Sequence, residues 1–147
     1  MHRYDVITTL NELIEVSRDG EDGFRACADN VKNPTLKTFF EKKAERCREG
    51  AAQLQQIVRE MGDEPEQSGS TSGAIHRFWV AIRGTLSGMS DHAILDECER
   101  GEGIAQVAYE EALKRDLPGD VRRVIERQYR EVKANHERVA ELRAVTA

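Results

Sequence analysis

Arg18-Asp19-Gly20-Glu21-Asp22-Gly23-Phe24 places a glutamate, preceded by a glycine, in the middle of a strongly helical run, and Glu99-Arg100-Gly101-Glu102-Gly103-Ile104-Ala105 repeats that grammar later in the chain. Around the first stretch, Ile7, Leu10, Ile14, Ser17, Glu21, Phe24, Ala28 and Val31 recur at helical steps and predict a helix over 4–31 whose apolar stripe carries one charge, Glu21. Around the second, Leu95, Cys98, Glu102, Ala105, Tyr109 and Ala112 predict a helix over 91–115, again with its glutamate on the stripe. A carboxylate on a core face must be paired, protonated or bound to a cation, because an isolated buried charge costs too much.

Each of these helices is followed by a partner. Asn33-Pro34 supplies a capping side chain and a residue suited to the first helical turn. Beyond it, Leu36, Phe40, Lys43, Cys47, Gly50, Leu54, Ile57 and Met61, widened by Phe39 and Val58, predict a helix over 34–61 with Gly62 as its stop. Leu117-Pro118-Gly119-Asp120 is a second turn, and Val121, Ile125, Gln128, Val132, Asn135, Val139 and Leu142 predict a helix over 120–145. Short turns make each pair an antiparallel hairpin. Residues 62–73 form a polar, breaker-rich crossover, and 74–87 a shorter helix bearing Ile75, Phe78, Trp79, Ile82 and Leu86.

The helices of the two hairpins also match pairwise, each pair at its own constant offset. Ile14, Ser17, Gly20, Glu21 and Ala28 align with Leu95, Cys98, Gly101, Glu102 and Tyr109, and Phe40, Cys47, Gly50, Leu54 and Ile57 align with Ile125, Val132, Asn135, Val139 and Leu142. Two hairpins joined by one long crossover describe an all-α, ferritin-like antiparallel four-helix bundle spanning 1–147. Di-iron sites of that architecture take a single glutamate from each of two helices and a Glu-x-x-His pair from each of the other two. Glu21 and Glu102 suit the single positions. The matching stretches Cys47-Arg48-Glu49-Gly50 and Val132-Lys133-Ala134-Asn135 supply neither pair, so a full dinuclear cage is not expected.

Several words of the chain resemble a known family. Asp19-Gly20-Glu21-Asp22-Gly23-Phe24, the run from Gly69-Ser70 to Ala74-Ile75-His76-Arg77-Phe78-Trp79, Glu99-Arg100-Gly101-Glu102 and the ending Asn135-His136-Glu137-Arg138-Val139 to Leu142-Arg143 are similar to a bacterial ferritin-like four-helix-bundle family of unknown function, known as conserved hypothetical proteins. The resemblance covers nearly the whole chain. It implies the bundle fold, no established activity and no catalytic residues to carry over.

Two readings compete for Glu21 and Glu102. In the first they are buried acids paired with Arg46, Gln128 or His136 from facing helices, and the protein is non-enzymatic with a degenerate di-metal site. In the second they hold iron, manganese or zinc at an atypical site, with His136 as a further ligand, and the protein is a metal-binding protein or oxidase. Gly20, Gly23, Gly50, Gly101 and Gly103 weaken their helices and mark close helix approach or, alternatively, room for a ligand. The segment 74–87 is expected to pack over the bundle or to form a homodimer contact; a rival reading puts Phe78 and Trp79 against a membrane surface or a protein partner. Lys42-Lys43 and Arg122-Arg123 read as solvated basic clusters.

Composition narrows the classes further. A net charge of −5 argues against a nucleic-acid partner. No run approaches the ~18 apolar residues of a membrane span. Met1-His2-Arg3-Tyr4-Asp5 leads straight into an amphipathic run with acids in it, unlike a signal peptide, and Cys27, Cys47 and Cys98 read as reduced core thiols, so a cytoplasmic location is expected. No Ser/His/Asp spacing, phosphate-binding glycine loop or zinc pattern points to a hydrolase, a nucleotide enzyme or a finger.

Overall fold

In the computed structural model, which describes residues 2–66 and 73–147, five helices follow in order: α1 (Arg3–Asn30), α2 (Pro34–Glu60), α3 (Ala74–Arg83), α4 (Asp91–Leu113) and α5 (Gly119–Val145). The described residues contain no strand. The Gly69-Ser70 word and the middle of the expected 62–73 crossover lie outside the described residues.

Local signals set most helix ends. Asn33 caps α2, its Oδ1 accepting from the Thr35 and Leu36 amides at 2.8 and 3.4 Å, with Pro34 in the first turn. Gly62 follows α2 at φ +83°, a conformation L side chains rarely adopt. Ser90 Oγ caps α4 by accepting from Ala93 N at 3.1 Å. The short helix ends at Arg83, earlier than the 87 expected, because Gly84 and Thr85 turn the chain. Leu86 is nonetheless fully buried. The hydrophobic pattern had followed burial past the end of the helix.

Contacts at the helix ends fix the directions. Asp91 at the start of α4 accepts from the Lys32 and Asn33 amides after α1, at 2.8 and 3.0 Å. Arg115 beyond the end of α4 donates to Thr9 Oγ1 near the start of α1 at 2.8 Å. So α1 runs antiparallel to α4 as well as to α2. Apolar side chains form two cores. One joins Phe24, Cys27, Phe40, Ala44, Trp79, Leu95, Cys98 and Val139; the other joins Leu10, Leu13, Ile14, Leu54, Val58, Tyr109 and Ile125. This pairing makes α2 antiparallel to α5. The α3 helix packs against α1 and α4. The two hairpins are close-packed internally, whereas α2 and α5 face each other through side chains with little close backbone approach.

Candidate functional site

Between the two cores lies a layer of polar side chains around a cavity of about 70 Å³. Every long helix supplies part of its wall: Ser17 and Gly20 from α1, Lys43 and Cys47 from α2, Glu102 and Tyr109 from α4, Gln128 and Val132 from α5. Trp79 of α3 closes one side. The opening lies between α2 and α5, where Arg46 and Glu131 approach to 3.9 Å with exposed side chains.

Glu102 is 4% exposed, and its Oε1 has no hydrogen-bond partner. Burial pushes its carboxyl up to about 7, against the opposing pull of the Lys43 ammonium. Lys43 is itself 6% exposed. Burial lowers its ammonium, while Glu102 holds it up, and its Nζ stands 5.5 Å from the centre of the Phe39 ring. The two charges act on each other across the cavity. Burial also raises the Cys47 thiol to about 12 and the Tyr109 phenol above its ordinary value, so neither is a ready nucleophile or base near neutrality. Tyr109 donates to Gln128 Oε1 at 2.8 Å, and Gln128 Nε2 donates to Gly50 O at 3.3 Å and Gln53 Oε1 at 3.0 Å. That chain fixes the amide and ties α5 to both α2 and α4.

The other residues singled out in the sequence lie elsewhere. Glu21 is buried, but its oxygens accept from Arg18 at 2.9 Å and Arg25 at 2.8 Å, both on its own helix. The positions of these arginines, one turn before and one turn after, explain the pairing. The expected cross-helix partners are engaged differently. Arg46 faces Glu131, Gln128 serves Tyr109, and His136 Nδ1 bonds Gln106 Oε1 at 3.0 Å. Glu102 lines the cavity; Glu21 and His136 do not. Among the described residues, no three His, Cys, Asp or Glu side chains converge in a way that would hold a metal ion.

Two of the glycines, Gly23 and Gly101, make room for a side chain. A Cβ on Gly23 would lie 2.2 Å from Trp79 Cδ2, and one on Gly101 would lie 2.6 Å from Trp79 Cζ2. The indole therefore wedges between α1 and α4 where both lack side chains, with Phe24 edge-on at 5.5 Å. A Cβ on Gly20 would lie 3.2 Å from Cys47 Sγ, a close approach of α1 to α2, whereas Gly50 and Gly103 leave ordinary space. Trp79 is 2% exposed, so it cannot serve the membrane or partner contact considered for 74–87; Phe78 packs on its ring at 5.2 Å. Packing inside the chain outcompetes exposure because a tryptophan buries so much apolar area.

Three features were missed. Lys43 is buried and not part of a solvated cluster with Lys42, and its place on the apolar stripe is the signal for that burial. Asp19 is buried and accepts from His76 Nδ1 at 2.9 Å, tying α1 to α3. Cys27 and Cys98 are free thiols with their sulfurs 3.0 Å apart across the α1–α4 interface. Nothing in the spacing of either pair announces it, because each joins remote segments.

A helical bundle with a charged, partly unsatisfied centre is the class of protein that fold and site define. Residues 5–115 match the family described as "Domain of unknown function (DUF2383)", and the chain belongs to that family. Its fold is also that of a solved structure, a conserved hypothetical protein, rv2844, from Mycobacterium tuberculosis. The two chains share 10% identity, the superposition covers 97% of this chain and 99% of the other, and the TM-score is 0.76. No curated protein matches the chain.

Proposed function

We infer that the chain is a single ferritin-like domain whose metal centre has been replaced by an internal lysine, and that it serves a non-enzymatic structural or interaction role as a cytoplasmic homodimer. The observation that carries this reading is Lys43, a buried lysine that lines the central cavity together with Glu102 and whose charge acts on the Glu102 carboxyl. A fixed cation there opposes a second, mobile one by like-charge repulsion and partly neutralises the carboxylate a metal would need. The pairing of two hairpins through one crossover supports the ferritin-like assignment. Glu21, held by Arg18 and Arg25, supports the loss of the second carboxylate from the centre.

Elemental analysis of the purified protein tests this reading, with Glu21→Ala and Glu102→Ala prepared alongside. The expected result is substoichiometric iron, manganese and zinc in all three. Stoichiometric metal in the wild type, lost in both variants, would overturn it.

A further inference from the structure

We propose that the cavity between Glu102, Lys43 and Trp79 is a binding site for a short-chain monocarboxylate, which enters between α2 and α5. Two buried polar atoms on this wall have no partner, Glu102 Oε1 and Trp79 Nε1. Buried polar groups are rarely left unsatisfied, so two on one cavity point to an occupant. The indole N–H is a donor only, and the Lys43 ammonium supplies further donors. The occupant must therefore accept hydrogen bonds. A carboxylate does so with two oxygens, one toward Lys43 and Trp79 and one toward the Glu102 carboxyl, which then holds the proton shared between the two acids. Among the remaining lining residues, Val16, Phe24, Ile75, Ala105 and Val132 form the apolar part of the wall, placed to receive a short hydrocarbon tail. At about 70 Å³, and with roughly 10–15 Å³ per water-sized unit, the cavity holds on the order of five non-hydrogen atoms, the size of propionate.

The charged and titratable groups facing the site can be enumerated by element. Lys43, Arg46 and Cys47 come from α2, Glu102 and Tyr109 from α4, and Glu131 from α5, while α1 and α3 contribute none. Burial pushes the Glu102 carboxyl up to about 7, within the range of the test. Bound carboxylate and ionised Glu102 repel each other, so binding takes up a proton and weakens as pH rises.

Trp79 is the only tryptophan in the chain and lines the cavity, so its fluorescence reports occupancy. The test is titration with sodium propionate against sodium chloride of equal ionic strength, at about pH 6 and about pH 8. The expected result is a saturable change with a dissociation constant on the order of millimolar, as suits so few atoms. With the carboxyl at about 7, affinity falls about tenfold between the two conditions. Lys43→Met abolishes the response. Ala105→Leu, which fills the cavity and removes no charge, abolishes it as well and keeps the test valid should the lysine variant fail to fold. Glu102→Gln binds with little pH dependence. A response no larger than that of chloride, meaning a cavity that holds only water, would overturn the proposal. So would undiminished binding in folded Ala105→Leu. The inference rests on the metal-free reading above. Metal content measured on the same preparation separates the two, since bound metal defeats that reading and a flat propionate titration defeats this one.

Discussion

Trp79→Ala lowers the unfolding free energy by about 3–5 kcal/mol, the usual cost of emptying a large buried aromatic site. Gly23→Ala alone costs about 2 kcal/mol, because its methyl group would stand 2.2 Å from the indole and either the ring or α1 must move. In the Trp79→Ala background the same glycine change reverses sign. With the ring gone the clash is gone, and alanine is a better helix residue than glycine by up to ~1 kcal/mol. The double-mutant cycle therefore shows a coupling on the order of 3 kcal/mol, read from denaturant midpoints at constant slope. Additive costs would mean that Gly23 serves some purpose other than seating the tryptophan. The effect is large because the α3 indole fills the slot that Gly23 and Gly101 leave open. Within that helix Ile75 and Trp79 are its buried side chains, and His76 adds one bond to Asp19.

Glu102→Gln makes the protein more stable relative to the wild type as pH rises. The sign follows from proton binding. The folded carboxyl titrates at about 7 and the unfolded one at the ordinary 4.5, so between those values the native state binds the extra proton. Wild-type stability then carries a favourable contribution at pH 4.5 and below, loses it progressively up to about pH 7, and is flat beyond. At 1.36 kcal/mol per unit the difference across that window is on the order of 3 kcal/mol. Glutamine does not titrate, so the comparison isolates this one group. The measurement is chemical denaturation of both proteins across that range. Parallel curves would contradict the burial of the carboxyl.

Residues that act within one helix or one turn were legible in the sequence; residues that meet across the bundle were not. The Asn33 cap, the Gly62 stop and the short turns all operate over a few positions, and the helices they define match expectation closely. Glu21 and Glu102 share the same local grammar and even the same stripe, yet one is neutralised on its own helix and the other is not. That difference was visible in principle: Arg18 and Arg25 flank Glu21 at helical spacing, whereas the acids and glycines around Glu102 offer no such cation on the inner face. Lys43 was obscured by its neighbour, since Lys42 is exposed and the pair looks like a solvated cluster until helical phase separates them. The face of 74–87 that carries Trp79 was legible as one that packs over the bundle, but the slot that receives the indole was not. The burial of Trp79 depends on two glycines, in α1 and α4, opening a slot for a residue on a third helix, and no periodicity records that coincidence. The internal repeat was informative about topology and misleading about chemistry, because it made two acids look equivalent that the fold treats differently.

An NMR titration of side-chain carboxyl carbons, with Glu102 assigned by its glutamine variant, tests most directly whether an internal lysine stands in for a metal at the centre of the bundle. The account predicts that Glu102 titrates near 7 in the wild type and higher still in Lys43→Met, where the opposing charge is gone. An ordinary value near 4.5 in the wild type, or no change when Lys43 is removed, would contradict it.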